Sequence, residues 1–379
     1  MEADDRIWME RVFELARRAV GITFPNPLVG AVVVAEGRII GEGFHRGAGT
    51  PHAEALALEA AGDEARGATV YLNLEPCCHY GRTPPCTDVI RSAGIARVVF
   101  SMYDPDERMR GEGARSLERK GITVEEGLMR DEAIELNLPY IHRSVTGKPF
   151  IVLKLASTLD GRLSAGEQRW LTGEKARARV HYLRAWTESI AIGIGTVRAD
   201  DPVLDRRLYR EQLPPPIRMI FDTNLSFPPS HRWLDAGEPV VLYCGDGAPP
   251  EKVDRLGAAG AEVVPLPAAA EGVDLESWIG DVAKRGITSV FVEGGGSIAT
   301  SIIRRKLFNR LVIFYAPLVS GREGLEWFQD RNPPVWMERG SLVYRGTEEI
   351  DGDMMVVYDT ESVEESLRAV EGGRACSPG

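Results

Sequence analysis

Two α/β domains in one chain are what this sequence predicts, and three observations carry that expectation. Short runs rich in valine and isoleucine alternate with segments of helical apolar spacing from residue 6 to residue 359. The alternation lapses at one polar turn, SVTGKP, residues 144–149. The 379 residues also exceed one ordinary core, since domains run to about 100–200 residues. Residues 1–146 and 149–360 are therefore expected to fold separately, followed by a charged, flexible tail at 361–379 that carries Cys376.

In the first domain, RIWMERVFELARRAV (6–20) has helical spacing, and AVVVAEGRIIGEGFH (31–45) reads as a two-stranded hairpin. HAEALALEAAG (52–62) is a helix ended by glycine, and ATVYLNLEP (68–76) is a strand. CTDVIRSAG (86–94) and GARSLERKG (113–121) are short helices, and ARVVFSMYDP (96–105) and GITVEEG (121–127) are strands. Residues 131–148 read as a helix and a loop running into the polar turn. The second series opens on the strand PFIVLKLASTLDG (149–161) and the helix KARARVHYLRAW (175–186). The strands SIAIGIGT (189–196), PIRMIFD (216–222) and EPVVLYC (238–244) follow, then the helix DLESWIGDVAKRG (274–286). SVFVEGGG (289–296) is a strand, SIATSIIRRKL (297–307) a helix, and RLVIFYAPLVSG (310–321) and DMMVVYD (353–359) close the series as strands.

Composition narrows the function. Hydrophobic residues are 44% and charged residues 27%, as in globular proteins. A net charge of -11 with no basic block argues against nucleic acid and against an anionic membrane surface. No apolar run approaches the ~20 residues of a membrane helix, and MEADDRIW is no secretory signal. The expectation is a cytoplasmic protein with reduced thiols, in which clustered cysteines point to metal or catalysis.

Three of the five cysteines lie in PCCHYGRTPPC, residues 76–86, and PHAEA, residues 51–55, lies upstream. His-x-Glu at a helix start, followed by Pro-Cys after a strand and a further cysteine, is the pattern of zinc deaminases. His52 and two thiolates would give three ligands and leave one position for water, which zinc acidifies towards ~7. Glu54 would move the proton. Cys77 and Cys78 are adjacent and cannot easily aim at one ion, so Cys77 and Cys86 are the expected pair, with Cys78 a small buried filler. Cys86 opens a helix, where the dipole favours thiolate. The loop between them carries His79 and Arg82, suited to a polar or anionic substrate. A closed structural zinc site with His79 as fourth ligand is the alternative.

With these motifs in view, the chain resembles the bifunctional deaminase/reductase family of riboflavin biosynthesis. TFPNPLVGAVVV, GEGFHRGAGTPHAEA, LEPCCHYGRTPPCTD, KPFIVLKLASTLDGR, TVRADDPVL and VEGGGS carry the resemblance, from residue 23 to residue 297. It implies a cytidine-deaminase-like α/β/α layer domain followed by a dihydrofolate-reductase-like domain. It implies one Zn2+ per deaminase domain on His52, Cys77 and Cys86, Glu54 as proton shuttle, and Asn26 and His45 in the pocket. Asn26, held between two prolines, has an amide that can pair with a pyrimidine edge. The family usually has serine where Cys78 stands and often Asp-Pro-Asn where this chain reads Asp104-Pro105-Asp106. Homo-oligomers, dimer or tetramer, are also implied.

In the second domain, Gly193-Ile194-Gly195 and Gly294-Gly295-Gly296 end strands, and neither makes the dinucleotide fingerprint. Strand-GGG-helix still makes a phosphate cradle, where glycine admits close backbone approach and free amides face the anion. The resemblance implies NADPH at Ala156, Thr196, Asp200, Thr223, Gly295, Gly296, Ser297, Ile298, Ala299, Thr300 and Ser301. It implies substrate contacts at Gln168 (often serine in the family), Trp170, Arg184, Leu204, Arg207 and Glu293. Arg184 and Arg207 suit a ribose-phosphate by forked hydrogen bonds. Lys154, Asp160 and Glu293 are candidates for the proton that accompanies hydride transfer.

The activity implied is hydrolytic deamination of a phosphorylated diaminopyrimidine, then NADPH-dependent reduction of its ribosyl group to ribityl. A nucleic-acid deaminase is disfavoured by charge and by the lack of an aromatic, basic strip. A scaffold with structural zinc would need four protein ligands.

Overall fold

The computed structural model describes residues 4–80, 84–107, 109–164, 170–210, 213–269, 272–321, 324–327 and 338–371. The chain divides into two compact units: residues 1–147 with 365–379, and residues 148–364.

The first unit runs α1 (Asp5–Arg17), β1 (Gly30–Ala35), β2 (Arg38–Phe44), α2 (Ala53–Ala61), β3 (Thr69–Leu72), α3 (Cys86–Ser92), β4 (Arg97–Phe100), α4 (Glu112–Glu118), β5 (Thr123–Glu126) and α5 (Arg130–Thr146). Its sheet has the order β2-β1-β3-β4-β5, antiparallel across β2, β1 and β3 and parallel from β3 to β5. The β1–β2 turn is Glu36-Gly37, both at positive φ, 51° and 70°, the two-residue geometry that matches strand twist. Met9, Val12, Phe13 and Ala16 recur at helical spacing on α1 and are buried. On the opposite face α2 lies directly on β2. A Cβ on Gly41 would meet the Ala57 carbonyl oxygen at 2.0 Å, and one on Gly43 the Ala53 oxygen at 2.4 Å. These two glycines let the helix that begins after His52 sit on the sheet itself.

Two corrections concern this unit. Residues 130–146 form one continuous helix, not helix and loop. It runs through Pro139, and Gly147, at φ 69°, ends it in the left-handed conformation that favours glycine. Residues 361–371, read as part of a flexible tail, form helix α12. There Ser366 Oγ lies 2.9 Å from the buried His142 Nδ1, and Arg130 donates to the Val370 carbonyl at 2.7 Å. A charged surface hid the buried valines Val363 and Val370 in the sequence. Residues 372–379, with Cys376, lie outside the described residues.

The second unit runs β6 (Phe150–Thr158), α6 (Glu174–Trp186), β7 (Ser189–Gly193), α7 (Ile194–Asp200), β8 (Ile217–Phe221), α8 (Arg232–Asp235), β9 (Val240–Gly245), α9 (Pro250–Ala258), β10 (Glu262–Leu266), β11 (Ala268–Ala269), β12 (Gly272–Val273), α10 (Leu275–Lys284), β13 (Ser289–Glu293), α11 (Gly296–Arg304), β14 (Arg310–Ala316), β15 (Leu342–Ile350) and β16 (Asp353–Thr360). The large sheet has the order β10-β9-β8-β7-β13-β6-β14-β16-β15, parallel from β10 to β14 and closed by an antiparallel hairpin. Strand β6 comes first in sequence yet lies inside the sheet, between β13 and β14. The strand order therefore reverses there, and the carboxyl ends at such a reversal are where parallel α/β sheets bind ligands.

Sequence reading missed α8, α9, β10, β11, β12 and β15. Strand β10 contains Pro265, which is tolerated at the edge position it occupies. Strand β15 is mostly polar and exposed on the other edge, so it shows no apolar alternation. The expected strand 189–196 stops at Gly193, and Thr196 and Asp200 lie on α7. Among the described residues, no helix is long and apolar enough to cross a membrane.

Candidate active sites

The first site gathers where α2, the loop after β3 and α3 meet. His52 is the residue before α2, Cys77 lies in the loop between β3 and α3, and Cys86 is the first residue of α3. Their ligand atoms all lie within 4.8 Å of one another, and no fourth residue joins this cluster among the described ones. His52 Nδ1 stands 3.1 Å from Cys86 Sγ and 3.6 Å from Cys77 Sγ. Zinc bonds of about 2.0 Å to nitrogen and about 2.3 Å to sulfur place tetrahedral neighbours roughly 3.5 Å apart, so this donor set fits zinc. The Cys86 thiol and the Cys86 amide, 3.3 Å away, both serve Cys77 as donors. They hold Cys77 down to about 4 with help from His52, while Cys86 itself is raised. The pair thus shares a proton that a bound cation would displace.

Glu54 stands in the first turn of α2 and is buried. Burial raises its carboxyl, and Cys77 adds to this. Such a shift moves a carboxyl towards the range in which it can take up and release protons. Asn26 Nδ2 donates to His45 Nε2 at 2.9 Å, and His45 Nδ1 lies 3.3 Å from the Pro51 carbonyl. The His45 ring meets His52 edge-on, with centroids 5.4 Å apart. Burial lowers His45, which leaves it a neutral ring.

Cys78 stays outside this cluster, but it is half-buried rather than buried, with its sulfur 4.0 Å from Met109 Sδ. His79 is exposed on the loop and not among the clustered donors, and Arg82 lies outside the described residues.

The second site lies at the carboxyl ends of β6 and β13. Glu293 and Lys154 are register partners across these strands. Arg184, from α6, grips Glu293 with a fork of 2.5 Å and 3.0 Å. Burial alone would raise Glu293, yet Arg184 and Lys154 hold it below the ordinary carboxylate value. Burial pushes Lys154 the other way, down, against the pull of Glu293. Arg207 is exposed and paired with Asp205 Oδ2, and Leu204 is buried. Trp170 is exposed, with the Arg177 guanidinium 5.4 Å over its ring. Gln168 lies outside the described residues.

Asp160 is corrected as a proton candidate. Its oxygens accept from Thr158 Oγ1 at 2.6 Å, Ser320 N at 3.0 Å and Gly321 N at 2.7 Å. With Thr158 first, these donors hold it down to about 2. It ties two loops together and carries no proton near neutrality.

The glycine turn lies beside this site. Gly295 caps α11 with ordinary extended dihedrals, and a Cβ there would meet Thr196 Oγ1 at 3.8 Å. The glycine without room is Gly294, where a Cβ would lie 1.6 Å from Ile298 Cγ2. Ser297 is exposed, Ile298 and Ser301 are half-buried, Ala299 sits in the sheet core, and Thr300 donates to the Trp327 carbonyl at 3.3 Å. Ala156 is half-buried on β6, Asp200 is exposed at the end of α7, and Thr223 lies beside Gly245 and Gly272. On the resemblance that puts NADPH at this turn, Gly294→Ala is expected to weaken its binding roughly ten- to a hundredfold, the ~1–3 kcal/mol of an overpacked site. Gly295→Ala should be milder. Fluorescence titration of NADPH checks this, and equal effects would refute the steric account.

Comparison with known proteins now bears on both sites. The cytidine and deoxycytidylate deaminase zinc-binding region matches residues 2–102, and the RibD C-terminal domain matches residues 149–354. The riboflavin biosynthesis protein RibD of Bacillus amyloliquefaciens is 40% identical over 320 residues, 84% of this chain and 85% of its own length. The chain belongs to the RibD family. The RibD of Escherichia coli strain K12 is 39% identical over 334 residues, covering 84% of this chain and 89% of that one. Among solved structures, Acinetobacter baumannii RibD (form 1) superposes with a TM-score of 0.82 at 33% identity, over 94% of this chain and 99% of that one. A Thermotoga maritima diaminohydroxyphosphoribosylaminopyrimidine deaminase/5-amino-6-(5-phosphoribosylamino)uracil reductase gives 0.80 at 33%, over 94% and 98%.

This RibD-family chain is a bifunctional enzyme of riboflavin biosynthesis, a deaminase followed by a reductase. Its first domain is cytidine-deaminase-like and its second dihydrofolate-reductase-like, and the two matched domains support the use of zinc and of NADPH.

Sequence reading missed several residues that shape these RibD-family sites. Asn73 and Asn137, both buried, clamp the segment that follows Asn26. Asn137 accepts from Leu28 N at 2.7 Å, while the Leu28 carbonyl accepts from Asn73 at 2.8 Å and from Asn137 at 3.1 Å. Glu75, two residues before Cys77, accepts from Gly111 N and Ala114 N at 2.9 Å and 3.1 Å, tying the cysteine loop to the start of α4. Arg206 is buried and donates to the carbonyls of Arg184, Thr187 and Glu188 at 2.8–2.9 Å, fixing the end of α6. A polar residue inside an apolar run, as in LNLEP, was the one available signal.

Proposed function

We propose that the first unit deaminates 2,5-diamino-6-(5-phosphoribosylamino)pyrimidin-4(3H)-one and that the second reduces the deaminated product. The observation that carries the first half is the His52, Cys77 and Cys86 cluster with buried Glu54 beside it in the first turn of α2. These three would hold one zinc per chain, which supplies an acidified water. Glu54 would take one proton from such a water and give it to the ring nitrogen as the hydroxyl adds to the carbon, then take the remaining hydroxyl proton and give it to the amine, which leaves as ammonia as the C–N bond breaks. The Asn26–His45 hydrogen bond presents the Asn26 amide to the pyrimidine edge.

For the second half, NADPH would lie along Thr196 and the α11 start at Gly295, Gly296 and Ser297, supplying the hydride. Reduction places that hydride on C1′ of the ring-opened ribosylamine. The C1′=N electron pair moves to nitrogen, which takes a proton. Lys154 is our candidate donor. It is a cation held below its usual value by burial, whereas Glu293 is kept ionised by its arginine fork. Arg184 and Arg207 would meet the ribose-phosphate. The functional boundary is placed at Thr146–Pro149, and the free thiols at Cys77, Cys78, Cys86 and Cys244 suit a reducing cytoplasm.

Lys154→Gln tests this. Reduction should fall roughly a hundred- to a thousandfold, the scale of lost acid catalysis, with deamination unchanged. The deaminated, unreduced ribosylaminouracil then accumulates in a two-step assay. Retained reduction would remove Lys154 from the role, and equal loss of deamination in a folded protein would refute the functional boundary.

A further inference from the structure

Two polar atoms of the second unit face each other unsatisfied. His181 Nδ1 and Asp205 Oδ1 are buried and without a hydrogen-bond partner among the described residues, and they lie 3.6 Å apart. That is just beyond hydrogen-bond range, and a buried polar atom left open is costly. Both residues belong to the surroundings of the two arginines. His181 precedes Arg184 by one turn of α6. Asp205 accepts from Arg184 Nη1 through its main-chain oxygen at 3.1 Å and holds the exposed Arg207 through Oδ2.

We propose that His181 and Asp205 are a positioning pair for Arg207. When the anionic group of the reductase substrate draws the Arg207 guanidinium off Asp205, His181 Nδ1–H closes onto Asp205 Oδ1 in its place. This rests on the reading of Arg207 as a substrate-binding residue. Burial, with Arg184, pushes His181 down to about 4, so the ring is neutral and one of its nitrogens can offer an N–H. The exchange of partners moves no proton between residues and breaks no covalent bond. Without the imidazole, releasing Arg207 would leave a partly buried carboxylate uncompensated, and the free enzyme would keep its arginine.

The test is the reduction half-reaction with 5-amino-6-(5-phosphoribosylamino)uracil, together with inhibition by inorganic phosphate. His181→Phe keeps an aromatic ring and loses the donor. KM and the phosphate inhibition constant should each rise about tenfold while kcat stays within about twofold, the mark of lost binding. Thermal unfolding of each variant separates this from loss of fold. His181→Asn, which retains an N–H near the Nδ1 position, should recover most of the KM. In an Asp205→Asn background His181→Phe should add nothing, since no carboxylate remains to be compensated. KM unmoved by His181→Phe, while Arg207→Ala raises it, would discard the pair and keep Arg207 as a ligand. An equal rise in the Asp205→Asn background would make His181 a packing residue. KM unmoved by Arg207→Ala would remove the underlying reading, and the pair with it.

Discussion

Glu54→Gln is expected to cut deamination by roughly a thousandfold, within the range that positioned acid–base groups contribute, while leaving about one zinc per chain. Glutamine keeps the shape and buries no charge, but it cannot accept the proton of a water and return it to the ring. The carboxyl is buried in the first turn of α2, beside the donor atoms and not among them. Its removal should therefore spare the metal. Metal analysis of the purified variant and a deamination assay check this together. Zinc lost along with activity would make Glu54 a ligand. Reduction of supplied deaminated substrate should continue, because Lys154, Arg184 and Glu293 belong to the other unit.

The thiols give the second large effect. Cys77→Ser and Cys86→Ser should each lose zinc and, with it, deamination by roughly a thousandfold or more, since a hydroxyl is a poor substitute for thiolate at a tetrahedral zinc. Cys78→Ser should keep both. Its sulfur is directed to Met109, 4.0 Å away, and is absent from the donor cluster. The contrast is informative because Cys77 and Cys78 are adjacent in sequence and differ in direction alone. Retained metal in Cys77→Ser, or lost metal in Cys78→Ser, would overturn the donor set.

Much of the first site was legible because its elements are close in sequence and strongly patterned. His52 and Glu54 open an alanine-rich helix, Cys77 follows a strand, and Cys86 opens the next helix, so local structure already directs these groups towards one end of the sheet. The second site was legible only through family resemblance. Lys154 and Glu293 are 139 positions apart and meet because β6 and β13 are neighbours in register. Nothing near either residue announces that pairing. Asp160 looked equally suited to proton transfer, until three hydrogen bonds gave its oxygens a different task.

The sequence by itself determined the two-part α/β organisation and the grouping of His52, Cys77 and Cys86, because alternating apolar periods and short spacings are local properties of the chain. Only the tertiary structure decided which glycine of GGG has no room, that the clamps Asn73, Asn137 and Arg206 hold the loops and helix end around the two sites, and that residues 361–371 form a helix. Each of these depends on a partner distant in sequence, or on the packing that surrounds a turn. A Cβ on Gly294 would press on Ile298, whose position is set where α11 leaves the sheet, so the turn would have to shift to admit one. Asn137 reaches Leu28 across 109 positions. Pattern can report which residues are apolar or charged. It cannot report which polar atom a folded neighbour will leave within hydrogen-bond reach, because that distance exists only once the strands and helices have packed.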